Sequence, residues 1–318
     1  MNKKILYSII ISTVVISLGL YTIMDLYLYI YDPQWRGILH GEVLEENPRI
    51  FLLGSSSVYP VNATFVMEFL KKDQLNYEVY NLADMSDTPS HRLKSIDHLI
   101  SLKPDVVVYG IGLLDFNQKS LSKNSFDSKD YTEKTNPKIL LGTLFSEVTG
   151  EDILQKLPTS PKDRTILSIK YIVRGPEYIH HPFINFHKTG IANTSELESY
   201  NDKINFKGIE EINSNQELIA LKEIIKKLKE NNIRVLLFTV PYHESFLNNV
   251  SLEDKNKFEE ILNQIQNTYE VKIEFLQNKY SNMSIWRDVT HVAVNQKSII
   301  FSEDIAEYIH KELIDNVI

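Results

Sequence analysis

The stretch RIFLLGSSS, residues 49–57, indicates the fold of this chain. Its first five residues form a short, mostly apolar run that stops at Gly54, as expected of a buried strand. Three serines follow directly, so they lie at the carboxyl end of that strand. In an open parallel sheet, ligands bind at the carboxyl ends of the strands, and this stretch therefore predicts a functional edge.

Apolar runs alternate with amphipathic helices on both sides of a long polar segment. Strands are predicted over residues 49–53, 77–82, 105–111, 233–240 and 271–276, and helices over 64–72, 91–102, 216–231, 252–269 and 298–314. Near-continuous apolar strands are typical of a parallel sheet that is covered by helices on both faces. We expect one α/β domain over residues 48–318 with an insertion at about 118–215, a length typical of a functional loop or lid.

Residues 5–24 form a run without a charged side chain. At about 1.5 Å per residue, a helix of this length spans about 30 Å, the thickness of the hydrocarbon core of a bilayer. Lys3 and Lys4 before the run favour a cytoplasmic N-terminus and an extracytoplasmic remainder. We expect an uncleaved transmembrane anchor over residues 1–27 and a juxtamembrane linker over 28–47. A cleaved signal peptide and a buried core helix are the alternatives, and no small-x-small cleavage site follows the run.

Composition excludes several classes of protein. The chain has 318 residues and no cysteine, which excludes a disulfide framework, a thiolate zinc site and a cysteine nucleophile. Lys plus Arg is 34 against 42 for Asp plus Glu, a net charge of -8, and this balance argues against a nucleic-acid partner. His180, His181 and His187 have no acidic partner at ligand spacing, so we predict no metal site and no cofactor.

Serine, aspartate and histidine all follow predicted strands at one edge of the sheet. The serines come after the first strand, and Asp288 and His291 come after the fifth, three residues apart on one predicted loop. A serine hydroxyl becomes a nucleophile when an imidazole takes its proton, and a carboxylate orients that imidazole. His243 follows the fourth strand at the same edge, where substrate contact and simple packing both remain open. Asp115 ends the third strand, where we expect it to cap a turn.

Two motifs carry a resemblance to a known family. Gly54-Ser55-Ser56 after the first strand, together with Asp288-x-x-His291 near the C-terminus, resembles the SGNH (GDSL-type) hydrolase superfamily. The resemblance covers most of residues 48–116 and 216–318. It implies a flavodoxin-like three-layer α/β/α sandwich with a parallel sheet of about five strands, preceded here by one N-terminal transmembrane helix.

The resemblance also implies roles for individual residues. Ser56 matches the family nucleophile, and Asp288 and His291 match its acid and base. With its predicted anchor, the chain is similar to the extracytoplasmic branch that includes the D-alanyl transfer protein and the alginate acetylation proteins. Proteins of that branch move acyl groups on cell-surface polymers, often beside a membrane-bound O-acyltransferase.

The chain departs from the family at the expected oxyanion hole. Ala83 stands at a glycine position of the second block, where its backbone N–H can still donate. In the third block, which begins at Gly112, Leu114 replaces an asparagine whose side chain donates to the oxyanion, and such a loss typically lowers the rate about 100- to 1000-fold. Asn81 and Asn117 are candidate substitutes, and we assign Ala83, Asn81, Gly112 and His243 to oxyanion and substrate binding.

Together these features predict a membrane-anchored serine esterase or O-acyltransferase. Its substrates would be acyl esters of cell-surface glycans or polymers, and its catalytic domain would lie outside a membrane that it crosses once. The alternative is a catalytically weak or inactive protein of the same fold that binds or scaffolds, as a partner of a membrane acyltransferase.

Overall fold

The computed structural model describes residues 48–83, 87–117, 189–201, 204 and 206–315, together with the helical residues 4–5, 7–9, 11–16 and 19. The predicted linker over 28–47 and most of the predicted insertion fall outside these ranges. Most of the predicted anchor does too, and no helix among the residues placed is long and apolar enough to span a bilayer.

Five parallel strands form the central sheet, in the order β2-β1-β3-β4-β5. The strands are β1 (Arg49–Leu53), β2 (Glu78–Asn81), β3 (Val106–Ile111), β4 (Arg234–Thr239) and β5 (Lys272–Phe275). Every residue of β1 and β3 is buried. The predicted parallel sheet is therefore confirmed, with strand ends within one or two residues of those expected.

Helices cover both faces of this sheet. They are α1 (Ala63–Lys71), α2 (Pro89–Ser101), α3 (Thr194–Asn201), α4 (Gln216–Glu230), α5 (Glu244–Asn249), α6 (Leu252–Tyr269) and α7 (Ile300–Ile314). The chain passes from β1 to β2 in one direction and then from β2 through β3 and β4 to β5 in the other. Right-handed crossovers therefore place α1 on one face and α2, α4 and α6 on the opposite face. Helix α7 packs on α1, and α2 packs on α4, which gives the three predicted layers.

Side-chain caps explain where several helices begin. Asn62 accepts the Phe65 N–H at 3.0 Å before α1, Asn215 accepts the Leu218 N–H at 3.0 Å before α4, and Ser251 accepts the Asp254 N–H at 3.0 Å before α6. Each cap satisfies a backbone donor that the first turn leaves open. The observed α6 matches its predicted bounds, 252–269.

Residues 286–292 depart from the prediction. They were expected to form a loop, but they form a short antiparallel hairpin of β6 (Trp286–Asp288) and β7 (His291–Val292). The indole of Trp286 is buried and donates to the Tyr280 carbonyl at 3.1 Å, which anchors the hairpin to the domain. Strands of two and three residues are too short for an alternating pattern to show in the sequence.

The described residues on either side of the stretch 118–188 attach to the same edge of the sheet. Asn117 forms an antiparallel bridge with Ile209. The Ala192 N–H donates to the Trp286 carbonyl at 2.8 Å, and the Thr189 hydroxyl accepts the Val294 N–H at 2.7 Å. Part of the predicted insertion is thus joined to the hairpin that carries Asp288 and His291.

Candidate active site

A sharp turn after β1 places Ser56 at the carboxyl edge of the sheet. Gly54 has a φ of +138°, a conformation that favours glycine, and a short 3-10 turn begins at Ser56. Val58, at the end of that turn, is fully buried and fills the space beside Gly54 and Gly110. The segment is thereby anchored in the core while Ser56 stays partly accessible.

Ser56, His291 and Asp288 form one continuous hydrogen-bonded arrangement. Ser56 Oγ lies 2.7 Å from His291 Nε2. His291 Nδ1 lies 2.8 Å from Oδ1 and 2.9 Å from Oδ2 of Asp288. Asp288 is the last residue of β6 and His291 the first of β7, so the hairpin turn holds acid and base together. With Nδ1 protonated toward the carboxylate, the lone pair of Nε2 faces the serine hydroxyl.

The carboxylate of Asp288 is held in its charged form. Burial acts to raise the pKa of Asp288, but the hydrogen bond and charge of His291 and the two hydrogen bonds from Thr290 outweigh it, so this pKa is lowered. The Thr290 N–H and hydroxyl reach Asp288 Oδ1 at 2.9 and 3.0 Å. An ionised Asp288 is the form that orients and stabilises an imidazolium.

Asn81 is not an oxyanion donor, contrary to the sequence-based prediction. Its side chain is fully buried, and its amide nitrogen donates to the carbonyls of Val58 and Val61 at 3.0 and 2.8 Å. Its amide oxygen accepts the Ala83 N–H at 3.1 Å. Asn81 therefore holds the segment after the nucleophile against β2, and the predicted donor of Ala83 is engaged within the fold.

Gly112 also departs from its predicted role, because its N–H donates to Asp115 Oδ2 at 2.6 Å. This bond is the turn cap expected of Asp115. A side chain at Gly112 would collide with the Tyr242 hydroxyl, since an added Cβ would overlap it. Leu114 is partly buried, and its N–H points toward the same hydroxyl at 3.4 Å. Asn117, the other candidate substitute, accepts the Lys207 N–H at 2.9 Å.

His243 lies beside the hairpin at the same edge. Its backbone N–H donates to the Val289 carbonyl at 3.0 Å, and its ring packs edge-on against Trp286 with the centroids 5.8 Å apart. Nδ1 accepts the Ser245 N–H at 3.1 Å, which caps α5 and leaves the ring proton on Nε2. Burial lowers the pKa of His243, and Glu244 partly opposes that effect. His243 is thus a neutral ring that packs near the hairpin, and contact with a substrate stays a prediction.

Two residues next to the predicted triad, Thr290 and Ser57, were not predicted from the sequence as part of the site. Thr290 contacts both Asp288 and His291, and Ser57 donates from its hydroxyl to the Thr290 carbonyl at 3.2 Å. The sequence signal that could have identified them is their position next to His291 and Ser56.

The described residues contain no cluster of three or more His, Asp or Glu side chains that would bind a metal ion. His180, His181 and His187 lie outside the described residues.

Comparison with known proteins shows similar solved structures and no sequence match. No family model and no curated protein matches the chain. The psychrotrophic esterase EstA from Pseudoalteromonas sp. matches 84% of this chain and 99% of its own, with 12% identity and a TM-score of 0.40. A GDSL-like lipase from Bacteroides thetaiotaomicron matches 88% and 97%, with 10% identity and a TM-score of 0.41. A catalytic mutant of an acetylxylan esterase from Geobacillus stearothermophilus matches 83% and 93%, with 13% identity and a TM-score of 0.41. Values of this size establish no family for the chain.

Proposed function

We propose that this chain is a serine ester hydrolase or acyltransferase of the SGNH type. The observation that carries the proposal is the hydrogen-bonded series from Ser56 through His291 to Asp288. The three side chains come from segments about 230 residues apart, yet they meet at hydrogen-bonding distances in the order that acyl transfer requires.

The proposed mechanism has two halves. Ser56 Oγ attacks an ester carbonyl carbon while His291 Nε2 takes the hydroxyl proton, and Asp288 stabilises the imidazolium that forms. The tetrahedral intermediate collapses, His291 gives its proton to the departing alkoxide, and an acyl-Ser56 ester remains. Water or a sugar hydroxyl then attacks that ester, His291 takes its proton, and Ser56 leaves with the proton restored. Water as the acceptor gives an esterase, and a sugar hydroxyl gives a transferase.

A second candidate function is that of a weakly active or inactive scaffold with the same fold. The availability of N–H groups for an oxyanion favours it. The first N–H groups of the 3-10 turn at Ser56 have no partner within the turn and can face an oxyanion. The Ala83 and Gly112 N–H groups are engaged elsewhere, and Leu114 offers no side-chain donor. With so few donors among the residues that the structure describes, the candidate oxyanion hole fits slow chemistry, or chemistry completed by a partner protein.

We further propose that the chain is anchored in a membrane through residues 1–27. The helical residues described there expose large apolar side chains to the solvent, as a lipid-facing helix would: Ile5, Ile9, Ile11, Val15 and Ile16 are each more than half exposed. With the basic residues ahead of them, this favours a single-pass protein whose folded domain is extracytoplasmic. The proposed substrate is then an acylated surface glycan or polymer, and a membrane-bound O-acyltransferase is the proposed partner.

A fluorophosphonate probe, which labels activated serines, tests the chemistry. We expect the full-length wild type to be labelled and Ser56→Ala and His291→Ala to lose labelling. Ser55→Ala and His310→Ala are matched controls, because Ser55 makes no side-chain cap and His310 pairs with Asp73 away from the site. Both controls should label as the wild type does. A folded wild type that stays unlabelled would instead support the scaffold.

A further inference from the structure

Ser57 and Thr290 form a second connection between the two segments that meet in the candidate site. The Ser57 hydroxyl donates to the Thr290 carbonyl at 3.2 Å across 233 residues of sequence. The Ser56–His291 bond spans 235 residues and lies directly beside it. Ser57 is only 7% exposed and Thr290 only 5%, so the second bond is shielded from water.

The side chain of Thr290 also contacts both partners of Ser56. Its hydroxyl donates to Asp288 Oδ1 at 3.0 Å, so a lone pair of the same oxygen can face His291 Nδ1, also at 3.0 Å. The Nδ1 proton then lies among three acceptor atoms, the two carboxylate oxygens and the threonine oxygen. This arrangement favours the tautomer that leaves Nε2 free to accept the proton of Ser56.

We propose that Ser57 and Thr290 are positioning residues that hold the nucleophile segment and the acid–base hairpin in catalytic register. Ser57 sets the separation of the two segments, and Thr290 sets the orientation of the Asp288–His291 pair. The inference rests on the proposed serine chemistry and deepens it, since neither residue touches the reacting atoms.

The two residues should act in distinguishable ways. Without the Thr290 hydroxyl, Asp288 loses one of the hydrogen bonds that lower its pKa, so that pKa rises. Among the residues placed, His291 is the titratable group that acts on Asp288. A carboxylate with fewer hydrogen-bond donors stabilises the imidazolium form of His291 more strongly, so the acid limb of the rate profile moves to higher pH. Loss of the Ser57 hydroxyl leaves the Thr290–Asp288 contact in place and should change the rate without moving that limb.

Hydrolysis of p-nitrophenyl acetate by the full-length chain, measured across pH, provides the test. We expect Thr290→Val to lower kcat by about 10- to 100-fold, as a small misplacement of catalytic groups does, with KM little changed and the acid limb at higher pH. Thr290→Ser keeps the hydroxyl and should restore both the rate and the limb. Ser57→Ala should lower kcat by about tenfold with the limb unmoved. Ser55→Ala is the matched control and should behave as the wild type.

The outcomes separate this inference from the proposed function. A folded wild type with no hydrolysis and no fluorophosphonate labelling would overturn both. If the wild type is active, and Thr290→Val and Ser57→Ala have the same rate and the same acid limb as the wild type, the inference alone is overturned. Circular dichroism melting of every variant distinguishes loss of positioning from loss of fold. If Thr290→Val does not fold, the Ser57→Ala variant provides the test. A reduced kcat in folded Ser57→Ala supports the inference, and an unchanged kcat overturns it.

Discussion

In the 3-10 turn that follows β3, Asp115 directs its carboxyl group back to the Gly112 N–H of its own turn. Burial raises the pKa of Asp115 to about 8; the bond from the Gly112 N–H opposes the rise, and the carboxylates of Asp87 and Glu217 add to it. A carboxyl group with such a pKa is largely neutral at pH 7. It serves as a cap for the turn without placing a full charge there.

This pKa makes stability depend on pH. Between 3.8, the ordinary pKa of an aspartate, and the folded value of about 8, the folded chain binds one more proton at Asp115 than the unfolded chain does. Stability therefore falls as pH rises through this window, by up to about 1.4 kcal/mol per pH unit from this group, and the loss is complete above it. Asp115→Asn keeps an oxygen for the Gly112 N–H but cannot ionise. Urea unfolding at several pH values should show the variant gaining stability relative to the wild type up to about pH 8 and then levelling.

Asp97→Asn is the matched control, since Asp97 is exposed and pairs with Lys227 on the surface. Its stability curve should run parallel to that of the wild type across this pH range, because Asp115 is still present. Parallel stability curves for the wild type and Asp115→Asn from acid to alkaline pH would contradict the elevated pKa.

At the same scale, the sequence placed the side chains of the predicted triad at one edge, but it did not show which acceptors the backbone N–H groups meet. Ser56, Asp288 and His291 were predicted from their order along the chain, and the structure brings them together. Ala83 and Gly112 were predicted as donors from their alignment with family motifs. Each N–H is instead bonded to a nearby side-chain oxygen, Asn81 in one case and Asp115 in the other. A sequence motif specifies the residue at each position, but it does not specify which acceptor the backbone N–H of that residue contacts.

The turn between β1 and Ser56 requires a residue without a side chain at position 54. A Cβ there would lie 2.7 Å from the Gly110 carbonyl oxygen and 2.6 Å from Val58 Cγ2, and its φ of +138° disfavours other residues. Gly54→Ala should therefore destabilise the fold by about 1–3 kcal/mol, or more if the backbone must move. Thermal unfolding measures this, with Gly190→Ala as the control, because a Cβ at Gly190 meets no atom within 4 Å. Equal melting temperatures for the two variants would show that the turn tolerates a side chain.

The hairpin of β6 and β7 is an element that the sequence did not predict, and so is helix α5. Two contacts outside the hairpin hold its ends: the Trp286 indole on the Tyr280 carbonyl, and the Thr189 hydroxyl on the Val294 N–H. Tyr280 lies outside the motif that carries Asp288 and His291, and Thr189 lies about 100 residues before it. Long, periodic elements such as α6 were predicted to the residue because their signal is repeated over several turns.

Across the whole molecule, the C-terminal helix holds the segment that follows the nucleophile. The hydroxyl of Ser302, fully buried on α7, accepts the Asn62 N–H at 2.9 Å and donates to the Pro60 carbonyl at 3.4 Å. Ser302→Ala leaves two buried backbone groups without this partner and should cost about 1–3 kcal/mol of unfolding free energy. Urea unfolding tests this against Ser284→Ala, a change at an exposed serine. A Ser302→Ala variant as stable as the control would mean that α7 does not support the nucleophile segment through this side chain.

The parallel sheet, the order of strands and helices, and the placement of a serine, an aspartate and a histidine at one edge were all predictable from the amino-acid sequence. These follow from apolar periodicity and strand direction, which are local properties of the chain. The folded chain was needed to show that Asn81 braces the fold, that Ala83 and Gly112 donate inward, and that Ser57 contacts Thr290. These are hydrogen bonds between groups brought together by packing, and Ser57 and Thr290 lie 233 residues apart in the sequence. A hydrogen bond forms only within about 3.5 Å and at the right angle, and no residue pattern encodes that geometry.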